Sequence, residues 1–404
     1  MGHPGGGCDH RGGADPGRRD QPRMADPRGP CGLSHRPLDP APRPVSEGMI
    51  PVHSAYTVRT LTPASAVAAI AGGILILALI AAPAFVSRSL IQDLFFILTM
   101  LTLAQFWNLL AGYGGLVSVG QQAFVGIGAY ALFGSVILTG LDPLYAVLLG
   151  GLAALILAIP TAFFAFRLEG AYFAIGTWVI AEVTRLSVAQ WHAVGGGTGT
   201  SLPREAMREM PAVAGIETLL DVRASEARDI LAYWLALALA IATIAGIYAL
   251  LRSKRGLALS AVRDNMTAAR SVGVDAGQMR WVVFLTSAFG TGVTGAVIYL
   301  QKARISPDAA FSVTDWTAYV IFIVVIGGIG TIEGPILGVL VFFLLQSLLA
   351  DYGSWYLLLL GLIGIAVMLF APRGLWGLIS ERTGLQLFPV RRRLVGGSLK
   401  PREG

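Results

Sequence analysis

From residue 64 onward the chain alternates long, unbroken apolar runs with short polar connections. A helix of about 20 residues, rising 1.5 Å per residue, crosses a hydrocarbon core of about 30 Å. Ten runs meet that ruler: 64–86, 89–110, 120–139, 143–166, 171–190, 229–251, 281–301, 316–331, 335–350 and 355–371. The last three are short, so a re-entrant element in place of one fits the pattern equally well. The runs are continuously apolar and lack period-two alternation, which predicts helices and excludes a barrel. The expected fold is all-α, a polytopic transmembrane helical bundle of about ten spans.

Composition narrows the class. Hydrophobic residues make up 54% of the 404 and charged residues 13%, with a mean hydropathy of +0.66. A soluble domain carries roughly 25% charged residues, so too little polar surface exists here to cover a water-soluble enzyme. Cys8 and Cys31 both precede the first apolar run, as do His3, His10, His35 and His53, leaving His192 alone in the body. One histidine and no thiol make no metal site. Residues 1–48 are rich in Gly, Pro and Arg, so burial could not offset the entropy of ordering them. The expected organisation is a disordered extension over 1–60, a transmembrane domain over 61–378 and a basic tail over 379–404. The blander reading of the extension is that translation starts at Met24 or Met49.

Basic residues set the expected orientation. Arg252, Lys254, Arg255, Arg263, Arg270 and Arg280 crowd the loop 252–280, and Arg373, Arg382, Arg391, Arg392, Arg393, Lys400 and Arg402 crowd the tail. Both read as cytoplasmic under the positive-inside rule. Counting spans from there places both termini in the cytoplasm and leaves 191–228 as the one large external loop. Asp93, Asp142, Asp315 and Asp351 fall at expected span ends, where solvated boundary charges are ordinary.

No G-x-x-x-x-G-K occurs, so the chain does not cradle nucleotide phosphates through a P-loop. The run GGGTGT at 195–200 lacks the lysine and reads as a flexible turn. Neither HExxH nor a nucleophile elbow is present; if this protein pumps, another chain supplies the energy. The loop segment GLALSAVRDNMTAARSVGVDA at 256–276 is more informative. Leu259, Val262, Met266 and Ala269 share one helical face while Arg263, Thr267 and Arg270 share another. That predicts a short amphipathic helix bounded by Gly256 and Gly273, lying either at the membrane interface or in the groove of a soluble partner.

These residues resemble the coupling segment of ABC importer permeases. The form R-x-N-x-x-A-A-x-x-x-G, filled by Arg263, Asn265, Ala268, Ala269 and Gly273 with Asp264 between the first two, is similar to the branched-chain amino acid permease family. So are NLLAGYGGLVSVGQQAFVGIGAY at 108–130, LEGAYFAIGTWVIAEVTRL at 168–186, GGIGTIEGPILG at 327–338 and FAPRGLWGL at 370–378, over a stretch of roughly 64–378. The resemblance implies a membrane subunit of an importer in a bacterial cytoplasmic membrane, without ATPase motifs or a cofactor of its own. It further implies a second permease, two ATPase subunits holding ATP and Mg, and an external substrate-binding protein, with membrane lipid around the bundle and no nucleic acid. Where the family often has a histidine this chain has Gln121 and Gln122, so a histidine-dependent role does not carry over. Relatives that move urea or short amides share the motifs, which leaves the substrate open between these classes.

A translocation path needs polar groups at membrane depth, turned inward because lipid exposure is costly. Asn108, Ser118, Gln121, Gln122, Tyr172, Thr177 and Glu182 are the candidates. Close helix packing accounts for the glycines Gly112, Gly114, Gly115 and Gly120 as well as a path does. Glu182 and Arg185, spaced i,i+3, suit a structural ion pair; a proton- or sodium-coupling carboxylate in a secondary transporter is the competing role.

Overall fold

The computed structural model describes residues 57–59, 63–349, 352, 355–384, 387–389 and 393–395. The expected disordered extension lies almost wholly outside the described residues, as does Asp351. The helices, in order, are α1 (Pro63–Ala81), α2 (Arg88–Asn108), α3 (Gln121–Thr139), α4 (Pro143–Ala165), α5 (Ala171–Ala189), α6 (Arg204–Arg208), α7 (Pro211–Leu220) and α8 (Ala224–Arg252). They continue as α9 (Lys254–Asp264), α10 (Met266–Ser271), α11 (Ala276–Lys302), α12 (Pro307–Ala310), α13 (Tyr319–Gly327), α14 (Glu333–Leu349), α15 (Trp355–Phe370) and α16 (Gly374–Thr383). Two small antiparallel ribbons complete the chain: β1 (Thr57–Arg59) pairs with β4 (Arg393–Val395), and β2 (Thr200–Ser201) with β3 (Arg304–Ile305).

Helices stand at all ten expected positions. Among the described residues, eight helical stretches are long and apolar enough to cross a membrane. The other two are α5, whose hydropathy is lowered by Glu182 and Arg185, and α14, which has only 17 residues. Boundaries follow local chemistry. Asp142 caps α4 by accepting the Leu144 N–H at 2.8 Å, with Pro143 in the first turn, where its missing donor costs nothing. The tail boundary expected at 378 falls inside α16.

The interior is built by α2, α3, α4, α8 and α11, around Trp107, Tyr130, Phe133, Tyr233 and Phe284. Small residues bring α3, α4 and α11 into backbone contact: a Cβ at Gly128 would land on the Gly292 carbonyl, and one at Gly150 would meet the Gly128 carbonyl at 2.7 Å. Water drives no helix association within lipid, so such close packing must supply the attraction. Helix α1 lies on the outside, held to α8 by Tyr233 Oη donating to the Leu79 carbonyl (2.7 Å) and Trp234 Nε1 to that of Ile80 (3.2 Å).

Two expectations change. The segment 195–200 is not a loose turn: it holds a 3-10 turn, Gly196–Thr198, leading into β2, and Gly199 packs against the Ile305 carbonyl of β3. The single amphipathic helix expected between Gly256 and Gly273 is two helices. Extended backbone at Asn265 splits it, and the Asn265 side chain caps α10 by accepting the Ala268 N–H at 3.0 Å. Gly256 lies inside α9, against the backbone of Leu251, whereas Gly273 does follow the last turn, with φ +85°. Leu259, Val262 and Ala269 are buried and Arg263, Thr267 and Arg270 exposed, as expected, while the Met266 side chain lies outside the described ones.

Candidate translocation and coupling site

The last turns of α2 meet a break in a later helix pair. After α13 ends at Gly327, residues 328–332 lie outside any helix until α14 begins, and Gly328 and Gly330 take positive φ. Backbone freed in this way is tolerated in a bilayer only where protein satisfies it. Asn108 does so in both directions: its Nδ2 donates to the Thr331 carbonyl (2.7 Å) and its Oδ1 accepts the Gly330 N–H (2.7 Å). One turn earlier Gln105 Nε2 donates to the Ile332 carbonyl at 2.8 Å. Thr331 Oγ1 accepts the Gly334 N–H at 3.0 Å and so starts α14.

Beyond Asn108, α2 widens into a π-turn, Leu109–Tyr113, an element frequent at functional sites. A Cβ at Gly112 would sit 2.6 Å from the Gly330 nitrogen, so the π-turn and the break touch backbone to backbone. Arg263 of α9 reaches this junction. Its Nη1 donates to the Gly112 carbonyl at 3.2 Å and lies 3.0 Å from where a Gly330 Cβ would be. Asp264 lies 3.6 Å from the Arg263 Nε and is otherwise exposed. Buried Glu333, the first residue of α14, accepts the Phe388 N–H at 2.9 Å.

A second polar band follows the π-turn. Trp107 Nε1 donates to the Ser118 carbonyl (2.9 Å), Ser118 Oγ accepts the Gly120 N–H (3.2 Å), and Thr177 Oγ1 accepts that of Val119 (3.2 Å). Gln121 Nε2 donates to the Leu103 carbonyl (3.0 Å) and to Thr291 Oγ1 (3.3 Å). Gln122 Oε1 accepts a short bond from Thr317, in a second π-turn, Thr314–Ala318. Asn108, Ser118, Gln121, Gln122 and Thr177 are thus buried and gathered around two irregular segments, with their polar groups held by the protein itself.

Tyr172 and Glu182 are not brought in. Tyr172 is 74% exposed on the outward face of α5. Glu182 is held by Arg185, whose Nη2 lies 2.6 Å from Oε1, while Arg185 Nη1 reaches Asp308 at 2.6 Å. The expected ion pair forms, on a partly exposed face. Gln105, Thr291, Thr317 and Thr331 were missed. Only Gln105 was within reach of sequence reasoning, since it stands i−3 from Asn108 on the same helical face.

Residues 89–371 match the family described as branched-chain amino acid transport system / permease component. This chain belongs to that family. The match opens in the first turn of α2 and closes after α15, leaving α1 outside, and it contains both polar bands and the α9–α10 loop. Two curated relatives are each named high-affinity branched-chain amino acid transport system permease protein LivM, one from Escherichia coli (strain K12) and one from Salmonella typhimurium (strain LT2). Each is 28% identical over 313 residues, covering 73% of this chain and 72% of its own length. No solved structure matches. The family and the apolar helices together make this chain a multi-pass membrane permease component.

Proposed function

We propose that this chain is the membrane-spanning subunit of an ATP-binding cassette importer that moves branched-chain amino acids across the bacterial cytoplasmic membrane. In this reading both termini and the α9–α10 loop are cytoplasmic, following the crowding of basic residues there. A second permease completes the pathway, two ATPase subunits bind ATP and Mg and seat on α9 and α10, and an external binding protein delivers substrate. The observation that supports it best is the contact of Arg263 with Gly112 and Gly330. A push on α9 from a closing ATPase reaches, through one side chain, both the π-turn of α2 and the break at 328–332. Asn108 couples the two to each other, so both would shift together.

Ion coupling through Glu182 gains no support, because Arg185 already occupies that carboxylate. Urea and short-amide import differs only in the ligand. The test is purification of a tagged chain with its chromosomal neighbours, followed by reconstitution. Stoichiometric recovery of a Walker-motif ATPase and a second permease is expected, with leucine uptake dependent on ATP and binding protein. Arg263→Ala should keep assembly and ATP hydrolysis while uptake falls roughly tenfold, about 1.4 kcal/mol of lost coupling. Recovery of the chain alone, active under an ion gradient, would overturn the reading.

A further inference from the structure

A cavity of about 290 Å³ opens at the end of the bundle opposite the α9–α10 loop, where α2 and α8 begin and α11 ends. Two of its arginines fix its depth. Arg88 directly precedes the apolar run 89–110, and Arg228 the run 229–251. Residues that open a membrane span stand at the level of the lipid headgroups. Beside them Met207, Met210, Leu231 and Leu300, all buried, give the cavity an apolar wall.

Charge in the lining does not balance. Asp229 Oδ2 accepts Arg88 Nε at 2.6 Å and Gln92 Nε2 at 3.2 Å, so this carboxylate is already paired. Arg228 makes none of the described hydrogen bonds or ion pairs, and its Nε is buried without an acceptor. Burial is confined to Nε, so the terminal nitrogens stay accessible. With Arg88 and Asp229 cancelling, the lining carries one net positive charge, on Arg228. A charged donor left without an acceptor is costly, and such a group calls for a partner. The helix ends act in the same direction. The N-terminus of α8 has no side-chain cap, and Ser225 in its first turn lines the cavity with a hydroxyl that makes none of the described hydrogen bonds. Such an N-terminus favours an anion. Where α11 ends, the Ala303 carbonyl is already taken by the Leu202 N–H at 3.0 Å.

We propose that this cavity holds the headgroup of an anionic phospholipid, a phosphodiester with one negative charge and an uncharged alcohol beyond it. The phosphate takes the Arg228 guanidinium, whose donors match phosphate oxygens, and the uncapped start of α8. The glycerol end and the first part of an acyl chain lie against the methionine and leucine wall. A zwitterionic headgroup brings an ammonium as well, and the carboxylate that could receive it is held by Arg88. The site therefore selects by headgroup charge, as basic pockets between membrane helices do. This needs only that the chain spans a bilayer and does not rest on the importer reading.

The test is native mass spectrometry of the full chain in detergent, titrated with equal amounts of phosphatidylglycerol and phosphatidylethanolamine. The first lipid retained should be phosphatidylglycerol, preferred roughly tenfold. Arg228→Gln should bring that preference to within about twofold, and Arg228→Lys, which keeps the charge and loses the planar fork, should retain part of it. Ser225→Trp, which fills the cavity from its lining while keeping Arg228, should abolish the first binding event. Arg382→Gln, on the exposed face of α16, should change nothing. Monodispersity on size exclusion checks that each variant is folded. Inorganic phosphate at roughly 1 mM should not displace the lipid, because it gains nothing from the apolar wall. Equal retention of the two lipids by the wild-type chain would overturn the proposal. So would a preference unchanged by Arg228→Gln or by Ser225→Trp, or one lost on Arg382→Gln. Displacement by inorganic phosphate would overturn it too, by making the ligand a free ion.

Discussion

Helices α1 and α2 are neighbours in sequence and opposites in environment. None of the apolar window of α1 is buried within the chain, against 83% of that of α2, although α1 is the more apolar of the two. Helix α15 repeats the α1 pattern, with 11% buried. In water the most apolar helix would be the core. Here α1, the most apolar of the spans, faces outward while α2, which carries Asn, Gln and Thr, is inside, because lipid solvates leucine as well as protein does and rejects those polar side chains. The glycines divide the same way. Gly72 and Gly361, in α1 and α15, have nothing within 4 Å of an added Cβ, whereas Gly128 and Gly292 touch neighbouring helices.

The division is broken most forcefully at Gly128. Gly128→Val would drive a branched side chain into the backbone of α11, and overpacking that neither helix can relieve should cost about 3 kcal/mol or more. Gly72→Val and Gly361→Val should each stay within roughly 0.5 kcal/mol. Thermal unfolding in mild detergent, followed by monodispersity, compares the three. Equal losses would mean that α1 and α15 are packed against something as closely as α3 is against α11.

A smaller effect separates two kinds of buried polar residue on α2 itself. Thr99 and Thr102 donate back to their own helix, to the Phe95 (2.9 Å) and Leu98 (2.8 Å) carbonyls. Replacing either with Val removes donor and need together and should cost less than about 1 kcal/mol. Asn108→Ala removes one side chain and strands two groups, the Gly330 N–H and the Thr331 carbonyl, at about 1–3 kcal/mol each when buried. A loss of roughly 2–3 kcal/mol is expected in the same unfolding assay, and a loss no larger than that of Thr102→Val would show that the break at 328–332 is satisfied without Asn108.

The sequence disclosed where the chain crosses lipid and much less of how it is turned. Long apolar runs place helices within a few residues, as with the run 229–251 inside α8, because insertion depends on total hydropathy. Rotation about the helix axis leaves little trace in a chain whose solvent is also apolar. Tyr172 and Glu182 therefore read as inward candidates beside Asn108, though α5 turns them out. Asn108 was legible as a costly polar residue, but not its partners, which are backbone groups some 220 positions away and carry no residue signal. The motif around Arg263 marks the loop whose guanidinium reaches the Gly112 carbonyl. The split at Asn265 leaves no periodicity signal, because an Asn cap inside an amphipathic pattern looks like one more polar position.

The smallest effect is expected on the outward face of α5, and it tests the other half of the comparison. Glu182, with its side chain 41% exposed, pairs with Arg185 one turn on, and Arg185 in turn with exposed Asp308. Exposed pairs of this kind are worth roughly 0.2–1 kcal/mol, so Glu182→Gln should shift unfolding by no more than that. Reconstituted leucine uptake should stay within about twofold, since no step in the proposed coupling passes through this carboxylate, and its dependence on pH should not change. Collapse of uptake with folding intact would place a working carboxylate on a face that the isolated chain leaves outward. That outcome would make the α5 face part of the transport machinery, and the buried Asn108 cluster a scaffold for it.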